Sequence, residues 1–153
     1  MLHLIPPPLA RLAYRAAHAV RLRYWRWRKP RIHGCTIIAR DGGGRLLLIR
    51  PSYGGSLWQF PGGGMKAGSD PLAAARREFV EETGLVLAAA RSLGAHDRWL
   101  AGATNVVHIV VGAAEGAPQV DNREIVAAAW FDRTELPEPR NANVEGYLGM
   151  ADL

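Results

Sequence analysis

The sequence predicts an α+β domain of several strands and one strong helix, preceded by an extra amphipathic helix. Three observations indicate this fold class: apolar strand-like runs between glycine turns, one helix whose two caps can be identified, and a helical apolar period in the first thirty residues. The 153 residues, 48% hydrophobic and 22% charged, suffice for one hydrophobic core. We therefore expect an arm over residues 1–30 and a folded domain over residues 31–153.

The N-terminal arm is predicted to be a helix that begins near Leu9, after three prolines, and ends before Pro30. Its apolar face is formed by Leu9, Leu12, Ala13, Ala16, Val20, Tyr24 and Trp27. Eight of the 19 basic residues and none of the 14 acidic ones precede Gly34. We expect this face to pack on the domain or on a twin subunit. Alternatives are a membrane-surface or polyphosphate-binding arm and an organellar transit peptide.

The body of the chain alternates strand-like runs with turns rich in glycine. Strands are predicted over residues 31–40, 45–50, 57–60, 86–99, 104–113 and 125–131, and residues 61–68 are predicted to be irregular. Asp70 can cap a helix whose first turn contains Pro71, and Gly84 supplies a left-handed residue after Thr83. The strong helix is therefore expected over residues 71–83.

Composition excludes several classes of protein. No apolar run approaches the roughly 20 residues of a membrane span. Cys35 is the single cysteine, so the chain forms no internal disulfide and nothing in it requires an oxidising compartment. Arg11 and Arg15 interrupt any apolar core of a secretory signal. We expect a cytoplasmic protein.

Three carboxylates share one face of the strong helix. Glu78, Glu81 and Glu82 stand at positions i, i+3 and i+4, where like charges repel, and they lie near the helix C-terminus, where the helix dipole disfavours them. Such clusters suit hard divalent cations, since Mg²⁺ and Mn²⁺ prefer oxygen ligands. The alternative is a solvated acidic face neutralised by Arg76 and Arg77.

The whole run of residues 63–85 resembles the Nudix box. That signature reads Gly, five residues, Glu, seven residues, then Arg-Glu-apolar-any-Glu-Glu-any-Gly-apolar, and every fixed position matches except one. The exception is Ser69, which stands where the first glutamate is expected. Residues 60–63, Phe-Pro-Gly-Gly, also resemble the family's lead-in. The resemblance covers most of the body, but not the arm.

The resemblance implies an α/β/α sandwich with a mixed sheet and a metal-dependent hydrolase of diphosphate linkages. Its substrates would be nucleoside diphosphates joined to another group, with Mg²⁺ or Mn²⁺ as cofactor. By position, Glu78 and Glu82 are the expected principal metal ligands, and Glu81 is a further ligand or positions water. The Gly63 carbonyl is expected to complete a coordination shell, and Arg77 to hold loop and helix together by pairing with a carboxylate.

The resemblance also implies that water attacks phosphorus in line, with a glutamate from a later loop as general base in some members. Glu124 is at the matching place, as a metal ligand or as the base. Glu81 is the alternative base, and Glu115 and Asp121 are weaker candidates.

The departure at Ser69 leaves two interpretations open. A hydroxyl cannot replace the charge of a carboxylate, so Arg77 loses its usual partner; Asp70 is adjacent but is needed as the helix cap. We expect hydrolysis to survive at a reduced rate, because the three helix carboxylates remain. The alternative is a Nudix-fold module that binds a ligand without cleaving it.

Substrate and partner predictions are less specific. Candidate substrate-binding residues combine phosphate-neutralising cations with rings that could stack on a base: Arg50, Trp58, Phe60, Lys66 and Arg98. Arg91 and Trp99 are further candidates, and each of these residues has the alternative of surface charge or core packing. The expected partner is a nucleotide-type diphosphate; a homodimer and contact of the arm with a membrane surface are open alternatives. Nucleic-acid binding is not expected, because the basic arm lacks any recognised RNA motif.

Overall fold

The computed structural model describes residues 5–153 and arranges them as a mixed sheet between helices. The helices are α1 (Pro7–Arg28), α2 (Pro71–Thr83) and α3 (Asn143–Met150). The strands are β1 (Arg31–Arg40), β2 (Leu46–Pro51), β3 (Gly64–Met65), β4 (Ala88–Leu100), β5 (Ala103–Ala113) and β6 (Ile125–Phe131).

The sheet has the strand order β4-β5-β1-β2-β6, and β3 pairs with β1 off this path. The pairing of β1 with β5 is parallel and the other pairings are antiparallel, so the sheet is mixed, as predicted. The central strands are apolar on both faces. Ile37 and Leu47 pack towards α2, whereas Ile38 and Leu48 pack towards α3. The predicted α/β/α sandwich is therefore confirmed.

Strands β1 and β2 pair beside their turn, where Arg40 faces Leu46, and then separate. Residues 59–65 fill the gap. Gln59 exchanges backbone hydrogen bonds with Ile49, and the N–H of Cys35 donates to the Gly63 carbonyl over 2.9 Å. The prediction of a strand over residues 57–60 was therefore wrong, because this segment makes isolated bridges, and β3 forms within the predicted irregular stretch.

Helix α2 begins and ends where its capping residues predict. The Asp70 side chain accepts hydrogen bonds from the N–H groups of Leu72 and Ala73, and Gly84 adopts φ 70° after the last turn. Phe79 is fully buried against the sheet, so one face of α2 is fixed in the core. This anchoring leaves the glutamate face of α2 beside the segment 59–65.

Helix α1 turns a different face towards the domain from the one that its apolar period predicts. It begins at Pro7, since proline is tolerated in the first turn of a helix. The expected packing face is exposed to solvent, with Leu12 64%, Val20 68% and Trp27 75% accessible. The expectation that this face packs on the domain was wrong. The face turned inward contains Ala10, Tyr14, His18, Leu22 and Trp25.

Helix α1 is also the longest helix among residues 5–153. None of the helices in that range combines the length and apolar character needed to cross a bilayer.

Candidate active site

A cavity of about 1320 Å³ opens between α2, the segment 59–65 and the loops at one end of the sheet. Besides Asp70, whose carboxylate caps α2, three carboxylates line it: Glu78 and Glu82 from α2, and Glu124 from the loop before β6. Residues far apart in sequence are thus brought to one site. Of the four predicted carboxylates, Glu78, Glu82 and Glu124 line this common space and Glu81 does not.

Glu82 is more deeply buried than Glu78. Its Oε2 accepts a hydrogen bond from the N–H of Gly62 over 2.8 Å. Burial raises the pKa of this carboxyl well above its ordinary value; the Gly62 N–H opposes the shift, and the charges of Glu78, Glu124 and Glu81 add to it. A buried carboxylate surrounded by like charges is a site where a cation is electrostatically favoured.

Glu78 lies against the backbone of Gly63. A Cβ atom at Gly63 would be 2.2 Å from Oε2 of Glu78, so the absence of a side chain at residue 63 makes this approach possible. The Glu78 carboxylate accepts a hydrogen bond from Arg77 over 2.5 Å. Burial raises the pKa of Glu78, Arg77 lowers it, and the neighbouring carboxylates Glu81 and Glu124 raise it.

Glu124 is presented by a turn built on Asp121. The Asp121 Oδ1 atom accepts hydrogen bonds from the backbone N–H groups of Arg123 and Glu124, over 2.9 Å and 3.1 Å. The Tyr53 hydroxyl donates to Oε1 of Glu124 over 3.2 Å. Burial and the negative charge of Glu124 raise the pKa of Tyr53, so this phenol stays a hydrogen-bond donor. Asp121 thus shapes the loop that holds Glu124.

Three comparisons with known proteins agree on the family. The family model described as NUDIX domain matches residues 30–150. The chain belongs to the NUDIX family. An RNA pyrophosphohydrolase of Saccharophagus degradans is 45% identical over 64 residues, which are 42% of this chain and 38% of that protein. The NAD-capped RNA hydrolase NudC of Vibrio atlanticus is 28% identical over 110 residues, 71% of this chain and 40% of the relative.

A solved MutT NUDIX hydrolase from Burkholderia pseudomallei superimposes with a TM-score of 0.69 at 28% identity, over 79% of this chain and 97% of that one. The curated relatives are longer: the chain spans less than half the length of the two described above.

Glu81 and Gly63 are two further predicted residues of the NUDIX box, and only Gly63 lines the cavity. The Glu81 side chain is 62% exposed, is 4.0 Å from Nε of Arg77, and is not among the residues that line the cavity. Gly63 does line the cavity, and its carbonyl oxygen already accepts the Cys35 N–H. One lone pair of that oxygen remains for a further ligand.

Ser69 and Arg77 both pair with groups that are close to them in the sequence. The Ser69 hydroxyl donates to the Lys66 carbonyl over 2.7 Å, and Asp70 is engaged as the cap of α2. Arg77 therefore pairs with Glu78 and Glu81 on its own helix. The expected pairing of Arg77 with a carboxylate is present, but it does not join the loop to the helix.

The predicted substrate-binding residues separate into two groups. Phe60, Lys66 and Arg98 line the cavity, and Arg98 donates to the Tyr147 hydroxyl. Arg50 and Trp58 do not line it: the Arg50 guanidinium lies 5.5 Å from the Trp58 ring centre, and Trp58 packs on Phe131. The weaker candidate Glu115 accepts the N–H of Gly42 in a turn.

Sequence reasoning missed the contribution of α1 to the cavity. His18, Arg21, Leu22 and Trp25 line it together with Tyr53. A weak signal exists in the second apolar period of the arm, in which Tyr14, His18, Leu22 and Trp25 recur at steps of four and three. The stronger leucine and alanine period on the other face obscures it.

The donor set of the cavity fits a hard divalent cation. The three facing carboxylates supply oxygen ligands, and their mutual repulsion is relieved by positive charge. Among residues 5–153, no group of three or more His, Cys, Asp or Glu side chains is already arranged as a metal site. Arg77 holds Glu78, and the Gly62 N–H holds Glu82, so binding an ion requires these side chains to change partners.

Proposed function

We propose that the protein is a metal-dependent pyrophosphohydrolase that cleaves the diphosphate linkage of a nucleoside diphosphate joined to another group. The observation that carries this proposal is the convergence of Glu78, Glu82 and Glu124 on one cavity beside Gly63. The names of the NUDIX relatives, RNA pyrophosphohydrolase and NAD-capped RNA hydrolase, support hydrolysis of pyrophosphate bonds.

The residues of the cavity have separate roles in this proposal. Glu78 and Glu82 would hold Mg²⁺ or Mn²⁺, with the Gly63 carbonyl and Glu81 as further ligands. When bound, such an ion neutralises diphosphate oxygens and lowers the pKa of a water molecule. Glu124 accepts the proton of the attacking water, with its carboxylate oriented by the hydroxyls of Tyr53 and Tyr14. A bond from water oxygen to phosphorus forms as the bridging oxygen leaves with the other phosphate.

The proposal assigns the diphosphate chemistry to this protein and leaves the group attached to the diphosphate to be identified by a substrate panel. The RNA pyrophosphohydrolase of Saccharophagus degradans matches over 64 residues, so its name supports the chemistry of the box more than the choice of substrate. Lys66 and Arg98 in the cavity supply positive charge for phosphate oxygens.

A turnover panel tests the proposed function. With Mg²⁺ or Mn²⁺ we expect hydrolysis of at least one of ADP-ribose, a dinucleotide, a nucleoside triphosphate and a 5′-triphosphorylated RNA. Removing the metal with EDTA is expected to abolish turnover, and adding Mg²⁺ back in excess to restore it. Turnover that EDTA leaves unchanged contradicts the metal dependence. Ligand binding without turnover of any substrate supports instead the NUDIX binding module suggested by Ser69.

We also propose that α1 attaches the protein to an anionic membrane surface. The apolar residues Leu12, Val20 and Trp27 point away from the domain. At about 100° per residue, Arg28 lies on one side of this stripe and Arg26 on the other, and Arg23 lies within it. An interfacial helix with arginines beside its apolar face suits anionic lipid headgroups. A second copy of α1 suits it less, because the helix carries basic residues and no acidic ones.

Substituting the stripe is expected to reduce vesicle binding without changing turnover. The double substitution Leu12→Gln with Val20→Gln keeps helix propensity and removes apolar area, and we expect roughly a tenfold loss of partitioning. Co-sedimentation with phosphatidylcholine vesicles, with and without phosphatidylglycerol, measures this loss. Val86→Gln is the matched control, since Val86 is 76% exposed outside α1.

Two outcomes would contradict membrane attachment. One is equal sedimentation of the wild type and the double variant with anionic vesicles. The other is a concentration-dependent dimer in analytical ultracentrifugation that the double variant lacks, which would assign the stripe to a second copy of the chain.

A further inference from the structure

The inward face of α1 belongs to the wall of the catalytic cavity. Arg15 donates through Nε to the Ser52 carbonyl over 2.8 Å, and Arg11 donates through Nε to the Asn122 carbonyl over 2.9 Å. These two bonds attach α1 to the loops that carry Tyr53 and Glu124. The arm is therefore fixed at the edge of the site.

A continuous series of contacts leads from the carboxylates to Arg21. Tyr53 donates to Glu124, the ring centres of Tyr53 and His18 are 5.0 Å apart, and Arg21 Nη2 is 3.1 Å from Nδ1 of His18. A guanidinium can only donate, so Nδ1 of His18 is the acceptor. Burial and the charge of Arg21 lower the pKa of His18, which is consistent with a neutral ring. These contacts place the Arg21 guanidinium at the end of the series away from Glu124.

Arg21 also has an aromatic partner on the same wall. Its guanidinium carbon lies 5.5 Å from the ring centre of Trp25, and both residues line the cavity. Within residues 5–153, no carboxylate oxygen lies within 4.0 Å of a guanidinium nitrogen of Arg21. The charge of Arg21 is therefore available to an anion. A cation beside an indole ring is a combination that binds the phosphate and the base of a nucleotide.

The cavity has room for a second nucleotide group. Its volume of about 1320 Å³ exceeds the roughly 300–1,000 Å³ of pockets that hold one drug-sized ligand. Glu78, Glu82 and Glu124 line the same cavity as α1, separated from Arg21 by the rings of Tyr53 and His18. If the diphosphate binds at the carboxylates, the group attached to the diphosphate can therefore contact the α1 wall.

We propose that Arg21 and Trp25 bind the nucleotide group that the substrate carries beyond the diphosphate, so that α1 selects dinucleotide substrates over mononucleotides. This proposal rests on the proposed function for the location of the diphosphate. It assigns to the arm a role in substrate specificity that the NUDIX box does not supply. The two faces of α1 then have separate uses, the inner one for substrate and the outer one for a surface.

The test compares two substrates that share one part. ATP and diadenosine tetraphosphate share an adenosine triphosphate, and only the second carries a further nucleotide, with its own phosphate and base, beyond it. Arg21→Gln is expected to raise KM for the dinucleotide by roughly tenfold or more, the effect of losing one charge-assisted hydrogen bond, with kcat little changed. KM for ATP is expected to stay within about twofold. Arg21→Lys, which keeps the charge, is expected to restore part of the loss.

Arg23→Gln is the matched control. Arg23 is an exposed arginine of the same helix, and it is not among the cavity-lining residues. Its substitution changes the net charge equally and is expected to leave both KM values unchanged. Equal effects of Arg21→Gln and Arg23→Gln would overturn the proposal, as would an equal loss of kcat/KM for both substrates.

Failure of the proposed function would be distinguishable from failure of this inference. If the wild type cleaves neither substrate, the catalytic proposal fails, and calorimetric titration with the same two ligands tests the α1 subsite directly. Tighter binding of the dinucleotide that depends on Arg21 would support the subsite in that case. Equal affinities of wild type and Arg21→Gln for the dinucleotide would overturn it.

Discussion

Replacing Glu82 with glutamine is expected to lower hydrolysis by more than about a hundredfold and, without metal, to make the protein more stable. Burial raises the pKa of Glu82 well above its ordinary value, and the Gly62 N–H compensates only in part. Glutamine keeps the shape and an acceptor oxygen for Gly62, but it has no charge to bury. The substitution therefore removes a proposed metal ligand and an electrostatic cost together.

The sign of the stability effect follows from proton linkage. A carboxyl whose pKa is raised by folding favours the folded state at low pH, and that contribution is lost as pH rises from the unfolded pKa, about 4.3, through the folded pKa. The metal-free wild type is thus expected to lose stability as pH rises from about 4 towards the raised pKa of Glu82. Glu82→Gln lacks this loss, so its advantage is largest at neutral pH.

Thermal unfolding at several pH values, with EDTA or with excess Mg²⁺, measures both effects. Near neutral pH we expect Glu82→Gln to melt above the wild type in EDTA, by about 2–4 °C for each kcal/mol relieved in a chain of this size. We expect Mg²⁺ to stabilise the wild type more than the variant. Glu135→Gln is the control, an exposed carboxylate that is not among the cavity-lining residues. A Glu82→Gln protein that melts below the wild type in EDTA would contradict the electrostatic argument.

Helix α2, which carries the proposed metal ligands, could be predicted because its signals are local. Asp70, Pro71 and Gly84 determine both ends of α2 within the sequence of the helix itself. The predicted strands at residues 31–40 and 125–131 have the observed bounds, because both are rich in β-branched and apolar residues and a glycine turn follows residue 40. The course of residues 59–65 could not be predicted, since it depends on the gap between β1 and β2.

The orientation of α1 could not be predicted because a period identifies a face without identifying what covers it. The aliphatic face of Leu12 and Val20 has the stronger period, yet the domain contacts the face of Tyr14 and His18. That choice depends on hydrogen bonds to distant carbonyl groups and on the ring of Tyr53. For the same reason the sequence predicted the carboxylates of the site, but not its arginine from α1.

Replacing a glycine of the segment 59–65 is the second change for which we expect a large effect. Replacing Gly62 with alanine is expected to destabilise the fold by on the order of 3 kcal/mol, because overpacking and backbone strain each cost about 1–3 kcal/mol. A Cβ at Gly62 would be 2.1 Å from the Cys35 carbonyl oxygen in the central strand β1, and the residue has φ 151°. Relieving this clash by moving β1 or the backbone at residue 62 would cost free energy of folding.

Replacing the next residue, Gly63, is expected to act on the metal site instead of the fold. A Cβ there would be 2.2 Å from Oε2 of Glu78, the end of a flexible side chain that can rotate away. Glu78 would then leave its place beside the loop, so the Mg²⁺ concentration for half-maximal turnover is expected to rise roughly tenfold. The melting temperature in EDTA is expected to stay close to that of the wild type.

Gly64→Ala is the matched control for both substitutions, because a Cβ at Gly64 would meet nothing within 4 Å. Melting temperature in EDTA and turnover against Mg²⁺ concentration, measured for all three variants, separate the two kinds of glycine. If Gly63→Ala lowers stability as much as Gly62→Ala, or leaves the Mg²⁺ dependence unchanged, then Glu78 is not held against the loop for the metal. If the contrast is found, adjacent glycines serve different needs: Gly62 lets the segment approach β1, and Gly63 lets a ligand of α2 approach the segment.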